Sequence, residues 1–257
     1  MSKLEFNPNN HRYTIEGKAL TGVTTILGVI AKNNLIQWAA DMAAIYGLED
    51  KQIIGIKTKY EEIQKISDWK KKKIAKDNLD KEYPEYKQAR TAHCQKRDKA
   101  GDTGTRVHSL CEDFINTKKV PDIKDPKEKK MFDNFYLWQK ANKVKFLGSE
   151  RRVFSEKFWF AGTYDFLCEI DGKIWLGDIK TGSGIYPEMF FQCAGYQICE
   201  EEMNPKIKID GYIIVNLKKD GKFDEKRSIS NKNNKQAFLS ALNLYRAINK
   251  VESDTLQ

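Results

Sequence analysis

From residue 144 onward the apolar and polar positions follow two periods in turn. Residues 159–170 and 173–179 are apolar-rich runs on either side of Asp171-Gly172, a dipeptide suited to the positive backbone angles of a tight turn, so they are predicted to form an antiparallel hairpin. In the second run side chains two apart share a face. Ile174, Leu176, Asp178 and Lys180 point one way, and Trp175, Gly177 and Ile179 the other. Residues 144–155 (VKFLGSERRVFS) and 207–217 (IKIDGYIIVNL) read as further strands, and Asp220-Gly221 turns the chain toward 223–229. Helical spacing governs 129–143, with Met131, Phe132, Phe135, Tyr136 and Trp138 facing inward, then 187–201, and then 235–251, where Phe238, Leu242, Tyr245 and Ile248 form one stripe. Helix, three strands, helix, strand and helix in that order predict an α/β fold, a mixed central β-sheet with helices on both faces.

The first hundred residues are patterned differently. Residues 4–15 read as a short extended pair turning around Asn7-Pro8-Asn9-Asn10, with a second turn at Glu16-Gly17-Lys18. In LTGVTTIL, residues 20–27, Thr24 or Thr25 is placed to cap a helix beginning at Ile26; the same start, with its free amide groups, can also seat a phosphate. Residues 35–44 read as the next helix. Residues 50–99 are rich in Lys and Glu and predicted helical, broken at Pro84, and form a helical insertion or lobe within one domain spanning 1–257. Gly104-Thr105 is expected to begin a fresh helix with Val107, Leu110, Cys111 and Phe114 on its apolar stripe.

Composition adds a charge. The 257 residues are 40% hydrophobic, enough for a sizeable core, and 45 basic against 36 acidic side chains give a formal net charge of +9. That excess suits a polyanionic partner such as nucleic acid. Lys70, Lys71, Lys72 and Lys73, in DWKKKKIAK, are the densest basic patch, either a solvated helix face or a contact to a phosphate backbone, for which Thr24, Thr25 and Arg106 are further candidates. The five cysteines have no CxxC pair, which predicts reduced thiols in a cytoplasmic protein, and no apolar stretch is long enough to span a bilayer.

The chemistry concentrates around the hairpin. An aspartate ending an apolar strand is costly unless something charged meets it, and Asp165 on the partner strand is in a register that brings it near Asp178. Two such carboxylates repel unless a proton or cation lies between them, and a hard divalent cation answers that need. His108 is either a histidine hydrogen-bonded to Glu112, four residues on, or a ligand beside the carboxylates. Glu150 is either a third acid at the site or a partner of Arg151 and Arg152. Gln192 and Tyr196, also four apart, carry neutral hydrogen-bonding groups able to hold a phosphate or base. Cysteine and histidine spacing gives no zinc finger.

Taken together, Asp165, Asp178-Ile179-Lys180, Gly104 to His108 as G-T-x-x-H and Gln192 to Tyr196 as Q-x-x-x-Y resemble the PD-(D/E)xK nuclease superfamily in its RecB-like exonuclease branch. LTGVTTIL and AGTYDF are similar to phage-type and mitochondrial single-strand exonucleases of that branch. The resemblance spans about residues 11–46 and 100–216. It implies a restriction-endonuclease-like core with an N-terminal helical elaboration. His108, Asp165 and Asp178, joined by the Ile179 carbonyl and by Glu150 in a less certain role, would hold Mg²⁺ or Mn²⁺; Lys180 would be the catalytic lysine, and Gln192 and Tyr196 would position substrate. It further implies DNA, single-stranded or with free ends, as the partner, in a bacterial or phage-infected cell. The cysteines do not fall in the arrangement that holds an iron–sulfur cluster in some relatives, so none is expected. Two other readings fit the same residues. One is a nucleic-acid-binding or scaffold protein on a nuclease fold; the other is a phosphoesterase acting on small nucleotides.

Overall fold

The computed structural model describes residues 4–30 and 50–254, so the helix expected at 35–44 lies outside the described residues. The chain divides into two compact units, residues 1–31 with 103–257, and residues 32–102.

Three short strands open the first unit, β1 (Leu4–Asn7), β2 (Arg12–Ile15) and β3 (Lys18–Gly22), each antiparallel to the next. Asn7 and Asn10 accept backbone N–H groups in the first turn, and Glu16 and Gly17 take left-handed angles in the second. β3 has no counterpart in the hydrophobic pattern because Leu20 alone of its five residues is fully buried. It runs directly into a single turn of helix, α1 (Val23–Ile26), and this displaces the expected threonine cap. Gly22 occupies the N-cap position, no side chain caps the turn, and Thr24 and Thr25 stand exposed inside it while Val23 and Ile26 reach the core.

The second unit holds α2 (Asp50–Gln64), α3 (Trp69–Glu82) and the first part of α4 (Pro84–Thr117). Asp68 caps α3 by accepting from the Lys70 and Lys71 N–H groups at 2.8 and 3.1 Å. Pro84 takes the first position of α4, where a missing N–H costs nothing. Ile56, Ile63, Leu79 and Ala89 are buried, and Lys59 pairs with Glu82.

α4 does not restart at Gly104, as the sequence reading expected. It is continuous through Gly101 and Gly104. Each glycine weakens a helix by about 1 kcal/mol, which the burial of Val107, Cys111, Phe114 and Ile115 readily offsets. α5 (Pro126–Ala141) begins ahead of the predicted start because Asp125 caps it, accepting from the Lys127 and Glu128 N–H groups at 2.7 and 3.1 Å.

Then come β4 (Lys145–Ser155), β5 (Phe160–Ile170), β6 (Lys173–Lys180), α6 (Pro187–Met203), β7 (Gly211–Leu217), β8 (Phe223–Ser228) and α7 (Asn231–Asp254). The hairpin turn has Asp171 and Gly172 at positive φ. The eight strands form one mixed sheet in the order β1-β2-β3-β5-β6-β7-β8, with β4 on the other edge of β5. α4 and α5 cover one face against Phe166, Cys168, Trp175, Ile179 and Val215. α6 and α7 cover the other against Tyr164, Leu167, Leu176, Tyr212 and Ile214. The predicted fold class is therefore the observed one, and the alternation read along β6 sends Leu176 and Ile179 into opposite cores.

β5 is the strand that places the chemistry. Along one edge it pairs with β4. Along the other it meets β3 at Phe160 and Ala161 and β6 from Phe166 to Ile170. Among the described residues, 162–165 have no strand partner on that second edge. The alternation slips by one in the same place, since Tyr164 and Leu167 enter one core and Phe166 the other.

Candidate metal centre

Asp165 stands in this gap. Its Oδ2 accepts the Ile179 N–H at 2.6 Å, so the carboxylate takes the place of a ladder carbonyl and ties β5 to β6. Across β4, Glu150 falls between the paired positions Ser149–Phe166 and Arg151–Tyr164 and adopts a left-handed φ of 45°. That conformation is uncommon for a glutamate and turns the residue out of the ladder. From α4, the His108 Nδ1 comes within 3.4 Å of Asp165 Oδ2. One ligand atom from each of His108, Glu150 and Asp165 lies within 4.8 Å of the others, a three-residue cluster able to chelate a divalent metal. Its donor set of one imidazole and two carboxylates fits such an ion.

Beside the cluster is a buried ion pair. The Lys180 Nζ is 2.5 Å from Asp178 Oδ2, and the two side chains are 23% and 1% exposed. As placed, Asp178 belongs to this pair and not to the cluster of three.

The electrostatics separate the three acids. Burial opposes the charge on Asp165, yet His108, Lys180 and the Ile179 N–H together hold its carboxyl below the usual range. Burial pushes Asp178 up to about 6, with Asp165 adding to the rise and Lys180 opposing it. Burial likewise pushes Glu150 up to about 7, helped by the charges of Asp165 and Glu112. His108 is raised although burial works against its charged form, because Asp165 faces it. Lys180 is raised against the same opposition by Asp178 and Asp165.

The other candidates are dispersed. His108 does not pair with Glu112, as one reading had it, because Asp165 takes the imidazole. Neither neighbouring arginine takes Glu150: Arg151 bonds Glu200 on α6 at 3.1 Å, and the Arg152 guanidinium lies 5.2 Å from the centre of the Phe6 ring. Gln192 donates to the Tyr196 hydroxyl at 2.7 Å; the tyrosine is 3% exposed, with its ring against Gly162, and Gln192 is half-buried. Arg106 is committed to Glu128 at 2.5 Å. Lys70, Lys71 and Lys73 are exposed and Lys72 half-buried on α3, in the other unit from the cluster. The exposed Thr24 and Thr25 sit in a turn too short to present a helix N-terminus. A pocket of about 470 Å³ next to the cluster, lined by Phe6, Glu112, Glu150, Arg152 and Thr163, was not foreseen. Its walls come from four separate elements, a juxtaposition that spacing along the chain cannot reveal.

No family model and no curated protein matches this chain. Among solved structures, that of SSO0001 aligns with 44% of this chain and 57% of its own at 13% identity, with a TM-score of 0.27. This chain thus spans little more than half the length of that protein, and a superposition so loose carries no argument about either fold or activity. Among the described residues, no helix is long and apolar enough to cross a membrane.

Proposed function

We propose that this protein is a metal-dependent deoxyribonuclease, an exonuclease cutting phosphodiester bonds in single-stranded DNA or at DNA ends. The observation that carries the reading is the convergence of His108, Glu150 and Asp165 within 4.8 Å, tied through Ile179 to the strand that bears Asp178 and Lys180. In this reading Asp178 and the Ile179 carbonyl complete the donor set for Mg²⁺ or Mn²⁺. The bound ion would lower the pKa of a water and offset charge on the phosphate. Lys180 orients the attacking water or meets the charge that grows on phosphorus. For Lys180 to do so its ammonium must leave Asp178, and that carboxylate then needs another cation. Gln192, held by the buried Tyr196, positions the substrate. The basic excess of the chain favours a polyanionic substrate, and Lys70 to Lys73 are candidate contacts to a phosphate backbone.

The test is hydrolysis of end-labelled single-stranded and duplex DNA by the purified protein with Mg²⁺, Mn²⁺ or EDTA, alongside Asp178→Ala and Lys180→Ala. Cleavage is expected with either metal, none in EDTA, and little with either variant. Activity that survives EDTA and both substitutions overturns the proposal.

A further inference from the structure

We propose that the pocket beside the cluster is a nucleobase subsite that favours bases carrying an exocyclic amino group over thymine. This rests on the nuclease reading above and adds to it a substrate preference. The pocket, about 470 Å³, has Glu150 as a wall in common with the metal cluster, so an occupant lies next to whatever group the cluster engages. That volume is within the range of small-ligand sites.

Its lining argues for a base over a phosphate. Glu112 and Glu150 face the space together with one cation, Arg152. A phosphate seated there would meet two carboxylates with a single guanidinium to hold it. Among the described residues Arg152 has no carboxylate at ion-pair distance; its flat guanidinium lies over the Phe6 ring at 5.2 Å. Phe6 is in turn fixed by Tyr13 and His11, with ring centroids 4.7 and 5.7 Å away. A guanidinium over an aromatic ring is a planar platform of the kind on which bases stack. The Thr163 hydroxyl, also in the lining, shares a hydrogen bond with the Tyr13 hydroxyl at 2.9 Å.

Glu112 supplies the selection. It stands one helical turn after His108, and its carboxylate can only accept hydrogen bonds. Cytosine, adenine and guanine each offer an amino group to such an acceptor. Thymine offers a carbonyl oxygen where cytosine has its amino group; it can reach the carboxylate only through its N3–H, with the ring shifted and O4 brought up against the acid, so it is the disfavoured base.

The experiment compares single-stranded oligonucleotides that differ only in the terminal nucleotide, dT against 5-methyl-dC, a pair that isolates the amino group from the methyl. With Mn²⁺, kcat/KM is expected to be about tenfold higher for 5-methyl-dC. Glu112→Gln, whose amide both donates and accepts, should close that gap, and Phe6→Leu should raise KM about tenfold for both substrates by removing the platform. Equal rates in the unaltered protein, or a gap that survives Glu112→Gln, overturn the subsite while leaving the nuclease reading intact. If no oligonucleotide is cut with any metal, the nuclease reading fails, and calorimetric titration with deoxycytidine and thymidine monophosphates decides the subsite. Equal affinity for the two then overturns it.

Discussion

Asp165 and Asp178 stand on neighbouring strands of one hairpin, but the regions that hold them differ. Asp165 occupies a stretch of β5 with an open strand edge, is 15% exposed, and has a backbone N–H and an imidazole aimed at it. Asp178 lies on β6 beside the continuous parallel ladder with β7, is 1% exposed, and has as its near counter-charge the lysine two residues on. The open region keeps a carboxylate ionised by donors already in place, so Asp165 sits below the usual range. Burial opposes the charge in both regions, but in the closed one Lys180 does not outweigh it, so Asp178 is raised to about 6. A cation therefore finds a ready ligand in the first region. In the second it must displace a proton or an ammonium.

The most drastic way to break this contrast is Asp165→Ala. Changing a group that merely orients a metal ligand commonly costs about 10–100-fold in affinity, so loss of a carboxylate that is itself in the cluster and faces both His108 and Ile179 should cost at least about 100-fold. Calorimetric titration with Mn²⁺ measures this, and DNA hydrolysis should fall with it. The change also leaves the buried Ile179 N–H without its acceptor, so about 1–3 kcal/mol of stability should go with it; Mn²⁺ affinity unchanged in the folded variant would contradict the assignment.

Substitution in the closed region should show first in stability. Asp178→Ala leaves the Lys180 ammonium, 23% exposed, beside a buried site without its partner, and breaking such a pair costs about 3 kcal/mol. Lys180→Ala leaves a carboxyl that can take a proton, so its cost depends on pH. An acid whose folded pKa is raised stabilises the fold fully below its unfolded value near 4 and loses that contribution as pH rises through the folded value, about 6 with Lys180 present and higher without it. Urea unfolding of Lys180→Ala should therefore show a larger penalty at pH 8 than at pH 5. The double variant should be more stable than the two single losses, added together, imply. Equal penalties at the two pH values would mean that Asp178 is not the group Lys180 compensates.

The contrast also marks where sequence reasoning reached. The hairpin, the two-faced alternation of β6 and the helices on both sides follow from periods of 2 and 3.6 and from turn residues, which are local properties. Asp165, Asp178 and Lys180 were conspicuous because charge at the end of an apolar strand is rare. β3 escaped because its burial rests largely on Leu20. The continuity of α4 escaped because Gly101 and Gly104 carry a local signal for a break that tertiary packing overrides. Gly104 lies so close to β6's exit that a Cβ there would come within 2.8 Å of the Thr181 Oγ1. Glu150 was ambiguous for a similar reason. Its left-handed backbone, which turns it from the strand toward His108, answers to the gap in the sheet and leaves no trace in local composition.

The smallest expected effect is also the one that tells the two regions apart within a single titration. Glu150 is raised to about 7 and His108 above its ordinary value, so below neutral pH both carry protons that an incoming cation must displace. Asp178, raised to about 6, adds a third displaced proton in that lower range if it joins the donor set. Apparent Mn²⁺ affinity should accordingly rise with pH and level off once Glu150 and His108 have lost their protons, with each displaced proton contributing up to about tenfold per pH unit. Glu150→Gln removes one proton from the upper window, so its slope between pH 6 and 7 should be shallower by up to about tenfold per unit while the steepening below 6 persists. Asp178→Asn should do the opposite, sparing the upper window and flattening the lower. If the lower window is unchanged in Asp178→Asn, Asp178 stays with Lys180 when the metal binds, and the centre consists of the open region alone.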